Sequence, residues 1–398
     1  MDRRVLIVAL GMFVIGTEGF VIAGVLPRIA VDLDVSLASA GLLVTAFGLI
    51  YAVSAPFVGA GLANLDRRRV LSGAMLAFAG ANVLAAAAPT FGVLAVARML
   101  SAVTAAAYSP VAVAAAVQMS PPERRGRATG LVFGGLTLAL VTGVPLGTLL
   151  ADLTSWRGTF VFIALLALAA AGGVWFFLPA ISGGARMPVG QRLRPLRRRV
   201  VVLTLLSPYI WMTGGFAVYT FVAVLLARST DWSVNALTPI LLVYGVFALL
   251  GNNIGGRITD TRLGTTGTLS IALLIQTGSL LGLALAAELG PPAGTVLFLT
   301  SIAFFAASGW ACTPPQATRA LALSTGVTTE LLSLNSMTTY LGIATGAAIG
   351  GLVLGGLGVV ALALLAAATQ IVALLLMLRV DKLAPSPDEA AARTLPVA

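Results

Sequence analysis

The chain has 398 residues, of which 59% are hydrophobic and only 10% charged, and its mean hydropathy is +1.02. These values exclude a soluble globular domain and point to an all-α membrane protein with many spans. A single cysteine and no histidine exclude disulfides, zinc centres and histidine proton relays, and the net charge of +10 is better explained by sorting of cations between loops than by a nucleic-acid partner.

Apolar runs bounded by charges or by Pro and Gly predict twelve spans, near 5–27, 38–60, 70–88, 91–117, 129–151, 158–178, 200–226, 236–256, 266–287, 293–313, 330–352 and 357–378. Runs of about 20 residues without period-two alternation fit helices, which satisfy their own backbone groups inside lipid. The first run, behind Arg3 and Arg4, is expected to be an uncleaved span. Of the 24 Lys and Arg, 20 fall in loops that share a side with both termini; only Arg28, Arg157 and Arg228 fall on the other, and Arg98 lies inside a span. The positive-inside rule places both termini in the cytoplasm.

Span 1 carries Glu18 alone among apolar residues. An acidic side chain at mid-helix costs roughly 2.5 to 3.5 kcal/mol, so a lone carboxyl there reads as a proton or cation site, the alternative being a hydrogen bond in helix packing. Asp32 and Asp34 follow Pro27 and read as solvated charges. The loop between spans 2 and 3 reads Gly59-Ala60-Gly61-Leu62-Ala63-Asn64-Leu65-Asp66-Arg67-Arg68-Arg69. Arg98 stands about two turns into span 4, either as a buried functional cation or snorkelling to the interface. Span 5 holds Gly130, Gly134, Gly135, Gly143, Pro145 and Gly147 ahead of Asp152. Glycines there permit close helix contact, and Pro145 removes a helix hydrogen bond, so this helix is expected to pack tightly and bend.

The Pro-, Gly- and Arg-rich stretch 180–199 divides the chain into a first half, 1–179, and a second, 200–383, followed by a tail, 384–398. Its basic run, Arg192 to Arg199, reads as a solvated linker within reach of anionic lipid heads. The halves echo each other. Thr17-Glu18-Gly19-Phe20 matches Thr213-Gly214-Gly215-Phe216, and Gly59 and Ala63 match Gly256 and Asp260 at nearly the same offset. Such parallel repeats place a substrate site at their interface near the midplane. Aromatic or polar character within the spans nominates Tyr108, Trp211, Tyr219, Tyr244, Trp310, Gln316 and Asn335 as its lining. Span 11 repeats Gly342, Gly346 and Gly350 at four-residue spacing, which suits another close helix contact.

On these residues the chain resembles the major facilitator superfamily, in particular its twelve-span drug:proton antiporters and their branch of arabinose- and chloramphenicol-type exporters. Gly16-Thr17-Glu18-Gly19-Phe20 with Leu26-Pro27-Arg28 is similar to the opening of that branch, and the resemblance implies that Glu18 takes part in proton and substrate binding. Leu94-Ala95-Val96-Ala97-Arg98 resembles a superfamily pattern in span 4, with Ser101 and Ala102 in place of its Gln and Gly. Span 5 resembles the antiporter motif through Gly143, Pro145 and Gly147, one residue tighter than usual. The loops carrying Gly59, Asp66, Arg67, Arg68, Gly256 and Asp260 resemble cytoplasmic gating loops; Ala63, Asn64 and Asp66 depart from the pattern.

The resemblance implies two pseudo-symmetric six-helix bundles in a bacterial cytoplasmic membrane, working as a monomer by alternating access. The expected cargo is a small lipophilic compound exported against protons, with the proton gradient as energy source and no bound cofactor, metal or nucleic acid. Glu18 faces Gly214 in the repeat and no cation in span 10 matches Arg98, so ion coupling is expected in the first half, with proton and substrate competing at Glu18. Few Asn, Gln or carboxylates are expected at mid-depth, which favours lipophilic cargo over sugars. A sugar or metabolite facilitator and a non-transporting sensor are the alternatives. No nucleophile–base set or phosphate loop suggests an enzyme.

Overall fold

The computed structural model describes residues 3–62, 64–183, 188–323 and 328–383; the 384–398 tail, Ala63 and Arg186 lie outside them. Eleven helical stretches are long and apolar enough to cross a bilayer, and the last is broken at Gly358, where φ is +84°. Twelve spans result among the described residues. They are α1 (Arg3–Asp32), α2 (Leu37–Gly61), α3 (Arg67–Ala86), α4 (Phe91–Gln118), α5 (Pro122–Leu153) and α6 (Trp156–Phe177). After the linker come α7 (Arg199–Thr220, extended by Val222–Ser229), α8 (Leu237–Thr259), α9 (Gly264–Leu289), α10 (Ala293–Ala322), α11 (328–357) and α12 (359–383).

Local chemistry sets several ends. Ser36, Asp66 and Thr90 cap α2, α3 and α4 by accepting from Ser39, Arg69 and Val93 backbone N–H groups, which satisfies donors left open at a helix start. α9 ends at Gly290 with φ +62°, a left-handed turn that glycine adopts without strain. Two boundaries differ from the sequence reading. Span 10, expected to stop near 313, continues through Thr313–Ala322, because Pro314 and Pro315 fall in the first turn of a new helical segment where a missing N–H costs nothing. The break expected at 353–356 is instead a single residue, Gly358.

Within α5 the backbone widens into a π turn at Ala139–Gly143. The next α-helical stretch starts at Val144, so Pro145 falls in its first turn and the span continues instead of breaking.

Helix pairing repeats between the two sets of six. α1 packs on α5, α2 on α4, and α3 on α4 and α6; correspondingly α7 packs on α11, α8 on α10, and α9 on α10 and α12. Across the sets, α2 meets α11 and α5 meets α8. Small residues allow these approaches. Side chains at Gly342, Gly346 and Gly350 of α11 would strike the backbone carbonyls of Tyr209, Thr213 and Ala217 on α7. In the first set, Gly135, Gly143 and Gly147 of α5 sit against Ala9, Thr17 and Val21 of α1.

One face of the molecule carries the start of α1 and the Arg-rich connections, including Arg67 to Arg69 and the short turns Val189–Arg192 and Arg194–Arg197 of the linker. The opposite face carries Arg28, Asp32, Asp152 and Arg157.

Candidate functional site

Glu18 and Arg98 meet. Both are 1% exposed, and Arg98 Nη1 donates to Glu18 Oε1 and, at 3.2 Å, to the Glu18 backbone carbonyl. Ser101, one turn further along α4, donates to the same carboxylate oxygen at 2.9 Å. Phe47 of α2 lies under the guanidinium, 4.5 Å from its carbon, a favourable cation–π contact in a dry site. Glu18 Oε2 and Arg98 Nε and Nη2 are buried without a hydrogen-bond partner. The pair is thus neutralised but incompletely bonded, so that removing either partner leaves an uncompensated buried charge.

The interface between the halves encloses a cavity of about 990 Å³. It reaches the basic face, since its wall includes Leu6 near the start of α1, Gly130 near the start of α5, Asn253 near the end of α8 and Leu332 near the start of α11. Its first-half wall is mostly apolar, with Leu10, Phe13, Leu131 and Phe133 and only the hydroxyls of Thr137 and Thr142. The second-half wall mixes Trp211, Tyr244 and Trp310 with the amides of Asn252, Gln276, Gln316 and Asn335. Among the described residues none of those lining it is charged.

A single layer of side chains separates this cavity from the ion pair. Phe20, Phe216, Tyr340 and Ile343 line both the cavity and a void of about 10 Å³ that touches Arg98 and Gly19. Phe20 and Phe216, the matched residues of the repeat, pack with ring centroids 6.1 Å apart. Tyr340 stacks on Tyr51 of α2 with centroids 3.6 Å apart.

The nominated lining residues divide. Trp211, Tyr244, Trp310, Gln316 and Asn335 face the cavity, where Trp310 donates to the Tyr244 hydroxyl at 3.3 Å and Gln316 to Asn335 at 3.2 Å. Glu18, Tyr108 and Tyr219 do not line it. Tyr108 packs over Gly11 and donates to the Val8 carbonyl at 2.9 Å, tying α4 to α1. Tyr219 donates to the Phe20 carbonyl at 3.1 Å and buttresses the aromatic layer from behind. Of the four amides on the wall only Gln276 lies mid-helix; Asn252, Gln316 and Asn335 lie within about two turns of the basic-face ends of their helices. Gln276, Gln316, Asn252 and Asn335 come from four different helices, so no sequence window shows them as a cluster.

On the face away from the basic loops, Arg28 at the end of α1 pairs with Asp152 at the end of α5. The α8 start joins them: Asn235 accepts from Arg28 at 3.2 Å, and Thr238 donates to Asp152 at 2.8 Å. This network joins the two halves on the face opposite the basic loops. Asp32, exposed as expected, also accepts from Trp156 at 3.0 Å and pairs with Arg157 at 2.5 Å within the first half.

The nominated gate residues make local contacts. Asp66 caps α3, Arg67 donates to Gln118 at 3.1 Å, and Arg68 lies over the Trp175 ring at 4.9 Å, so all three fasten the first half to itself. Gly59 lies in α2, Gly256 near Pro314, and Asp260 at the C-terminal cap of α8. A stronger contact on this face joins Arg319 to Asp381, which also accepts from Thr266 at 2.6 Å, holding α10, α12 and α9 together. Sequence reading missed it because Asp381 lies past the apolar run of α12.

Comparison with known proteins places these features in a family. The Major Facilitator Superfamily model matches residues 8–329. The chain is 33% identical over 350 residues to the MFS-type transporter YbcL of Bacillus subtilis (strain 168), covering 87% of this chain and 88% of that protein. It is 33% identical over 266 residues to the chloramphenicol resistance protein of Streptomyces lividans, covering 66% and 68% respectively. A crystal structure of a D-xylose-proton symporter superposes with a TM-score of 0.78 at 16% identity, over 94% of this chain and 96% of that one. The chain belongs to the Major Facilitator Superfamily and is a multi-pass membrane transporter, not an enzyme.

Proposed function

We propose that the protein is a proton-coupled exporter of small lipophilic compounds, resident in a bacterial cytoplasmic membrane with both termini in the cytoplasm and working as a monomer with no bound cofactor. The observation that carries this reading is the sealed Glu18–Arg98 pair one side-chain layer away from a large, mainly apolar cavity. With the basic face in the cytoplasm, the cavity is open inward, and lipophilic cargo enters it from the cytoplasmic side. Cargo pressing on Phe20, Phe216 and Tyr340 moves the partition and exposes Glu18, so proton and cargo influence each other through that layer instead of sharing one spot. The relation to a chloramphenicol resistance protein supports drug export. Rocking of the halves then requires the Arg28–Asp152 network to part.

The deciding experiment measures proton release from purified protein on adding a panel of neutral and cationic lipophilic compounds, followed by efflux from proteoliposomes with an imposed pH gradient. Release and gradient-driven efflux are expected in the wild type and lost in Glu18→Gln; undiminished efflux in that variant sinks the coupling role. One observation favours a second reading, a facilitator for neutral metabolites: the amide-bearing wall of the cavity suits hydroxylated cargo. Substrate movement indifferent to the proton gradient would select it.

A further inference from the structure

Three buried groups on the second-half wall of the cavity have no hydrogen-bond partner: the Trp211 indole N–H, the Gln276 carbonyl and the Gln316 carbonyl. They come from α7, α9 and α10, and each residue is 2–3% exposed. Gln316 is held in one orientation, because its amide nitrogen donates to the Thr204 backbone carbonyl at 3.3 Å and a carbonyl only accepts. Its own carbonyl oxygen is therefore the acceptor left over.

Gln276 is the less expected member, since α9 is a peripheral helix packed on α10 and α12. Its amide reaches the cavity through a gap between two glycines. A Cβ at Gly309 of α10 would stand 2.9 Å from the Gln276 amide nitrogen, and one at Gly215 of α7 would stand 3.7 Å away. Any side chain at Gly309 would crowd the amide.

Opposite this wall, α1 and α5 present Leu10, Phe13, Leu131 and Phe133. Among the described residues no charged side chain lines the cavity, and the carboxylate of Glu18 is already paired behind the aromatic layer. A permanent cation entering here would lose its hydration and find no counter-ion. Attraction to the faces of Tyr244 and Trp310 offsets only part of that loss.

Resting on the export reading of this cavity, we infer that it selects neutral, two-faced cargo: an aromatic or aliphatic body against α1 and α5, and an opposite edge carrying a hydrogen-bond donor for the Gln316 carbonyl, an acceptor for the Trp211 indole and a hydroxyl, which can donate or accept, for the Gln276 amide. Quaternary ammonium compounds of the same size are poor cargo. Leaving buried amide or indole groups unsatisfied is costly, so molecules that lack the polar edge are discriminated against as well.

Three probes with one ring system test this: N-(2,3-dihydroxypropyl)naphthalene-2-carboxamide, its trimethylammonioethyl analogue, and the N-propyl amide that lacks the hydroxyls. Equilibrium binding to the full-length purified protein is expected to be at least tenfold tighter for the diol than for the trimethylammonium probe. Gln276→Leu is expected to weaken the diol about five- to tenfold while leaving the propyl amide within twofold, which also reports that the variant is folded. Gly309→Ala, which displaces the same amide, provides a second variant with the same expected pattern. The inference is overturned if the trimethylammonium probe binds as tightly as the diol, if Gln276→Leu weakens diol and propyl amide alike, or if no probe binds. Selective diol binding without proton release or efflux would refute the export reading and leave this inference standing. Coupled efflux that favours the trimethylammonium probe would do the reverse.

Discussion

The two halves repeat one pattern of helix pairing but carry different chemistry in it. At matched positions, Thr17 and Thr213 donate to carbonyls four residues back, each at 2.8 Å, and Phe20 and Phe216 meet at the shared axis. Between those landmarks the first half has Glu18, bound to Arg98, whereas the second has Gly214, packed against Thr369 and Gln370. The first half thus holds a charge pair shut away from the cavity, and the second offers uncharged amides to it. The difference teaches that a repeated scaffold can hold different chemistry in its two copies; on the proposed function, ion handling falls to one copy and cargo recognition to the other.

The largest expected effect comes from breaking the charge pair on one side only. Arg98→Leu leaves a buried, unpaired Glu18 and is expected to cost about 3–5 kcal/mol, seen as a steep fall in the detergent melting temperature. Adding Glu18→Leu to Arg98→Leu should restore most of that stability without restoring coupled efflux; a double variant no more stable than the single would show that the pair is not the source of the loss. Next is the helix contact of the second half. Gly346→Ala sets a methyl against the Thr213 carbonyl, a backbone atom that cannot swing aside, and is expected to cost about 1–3 kcal/mol in the same assay. Its counterpart, Gly143→Ala, meets the side chain of Thr17, so a Thr17→Ala background should relieve it, whereas nothing equivalent relieves Gly346→Ala.

The smallest effect concerns the network that spans both halves. Asp152→Ala removes the acceptor shared by Arg28 and Thr238 and is expected to shift the balance between cavity-open states about tenfold, the equivalent of roughly 1.4 kcal/mol. Cysteine labelling can read the shift. Cys312 is the chain's own cysteine and is buried, so a probe cysteine in a Cys312→Ser background, as Leu241→Cys beneath the network, should gain reactivity toward a membrane-impermeant thiol reagent. Unchanged labelling would place the closing contact elsewhere.

Much of this was legible in the sequence, and the reasons are physical. Spans show because crossing lipid demands long apolar runs, and Glu18 and Arg98 show because a charge inside such a run stands alone. The stripe Gly342, Gly346, Gly350 shows because close helix contact needs small residues on one face. Which face of a span meets the cavity did not show. A helix apolar all round has no polar stripe to set its phase, so Tyr108 and Tyr219 were nominated by residue type and proved to be braces between helices. Gln276 escaped because its access depends on two glycines in other helices, and the Arg28–Asp152–Thr238 network because its members are more than eighty residues apart in the chain.

Glu18 is the one carboxyl sealed within the membrane interior of the described residues. On the proposed coupling, a single acid beside a cavity whose described lining is uncharged exchanges one proton for one uncharged molecule. Each turnover then carries one net positive charge inward, making the cycle electrogenic. Such a cycle draws on voltage as well as on the pH difference, at roughly 2.3 kcal/mol per 100 mV. That sets a ceiling: 100 mV of total proton-motive force sustains at most a roughly fiftyfold outward concentration ratio of cargo.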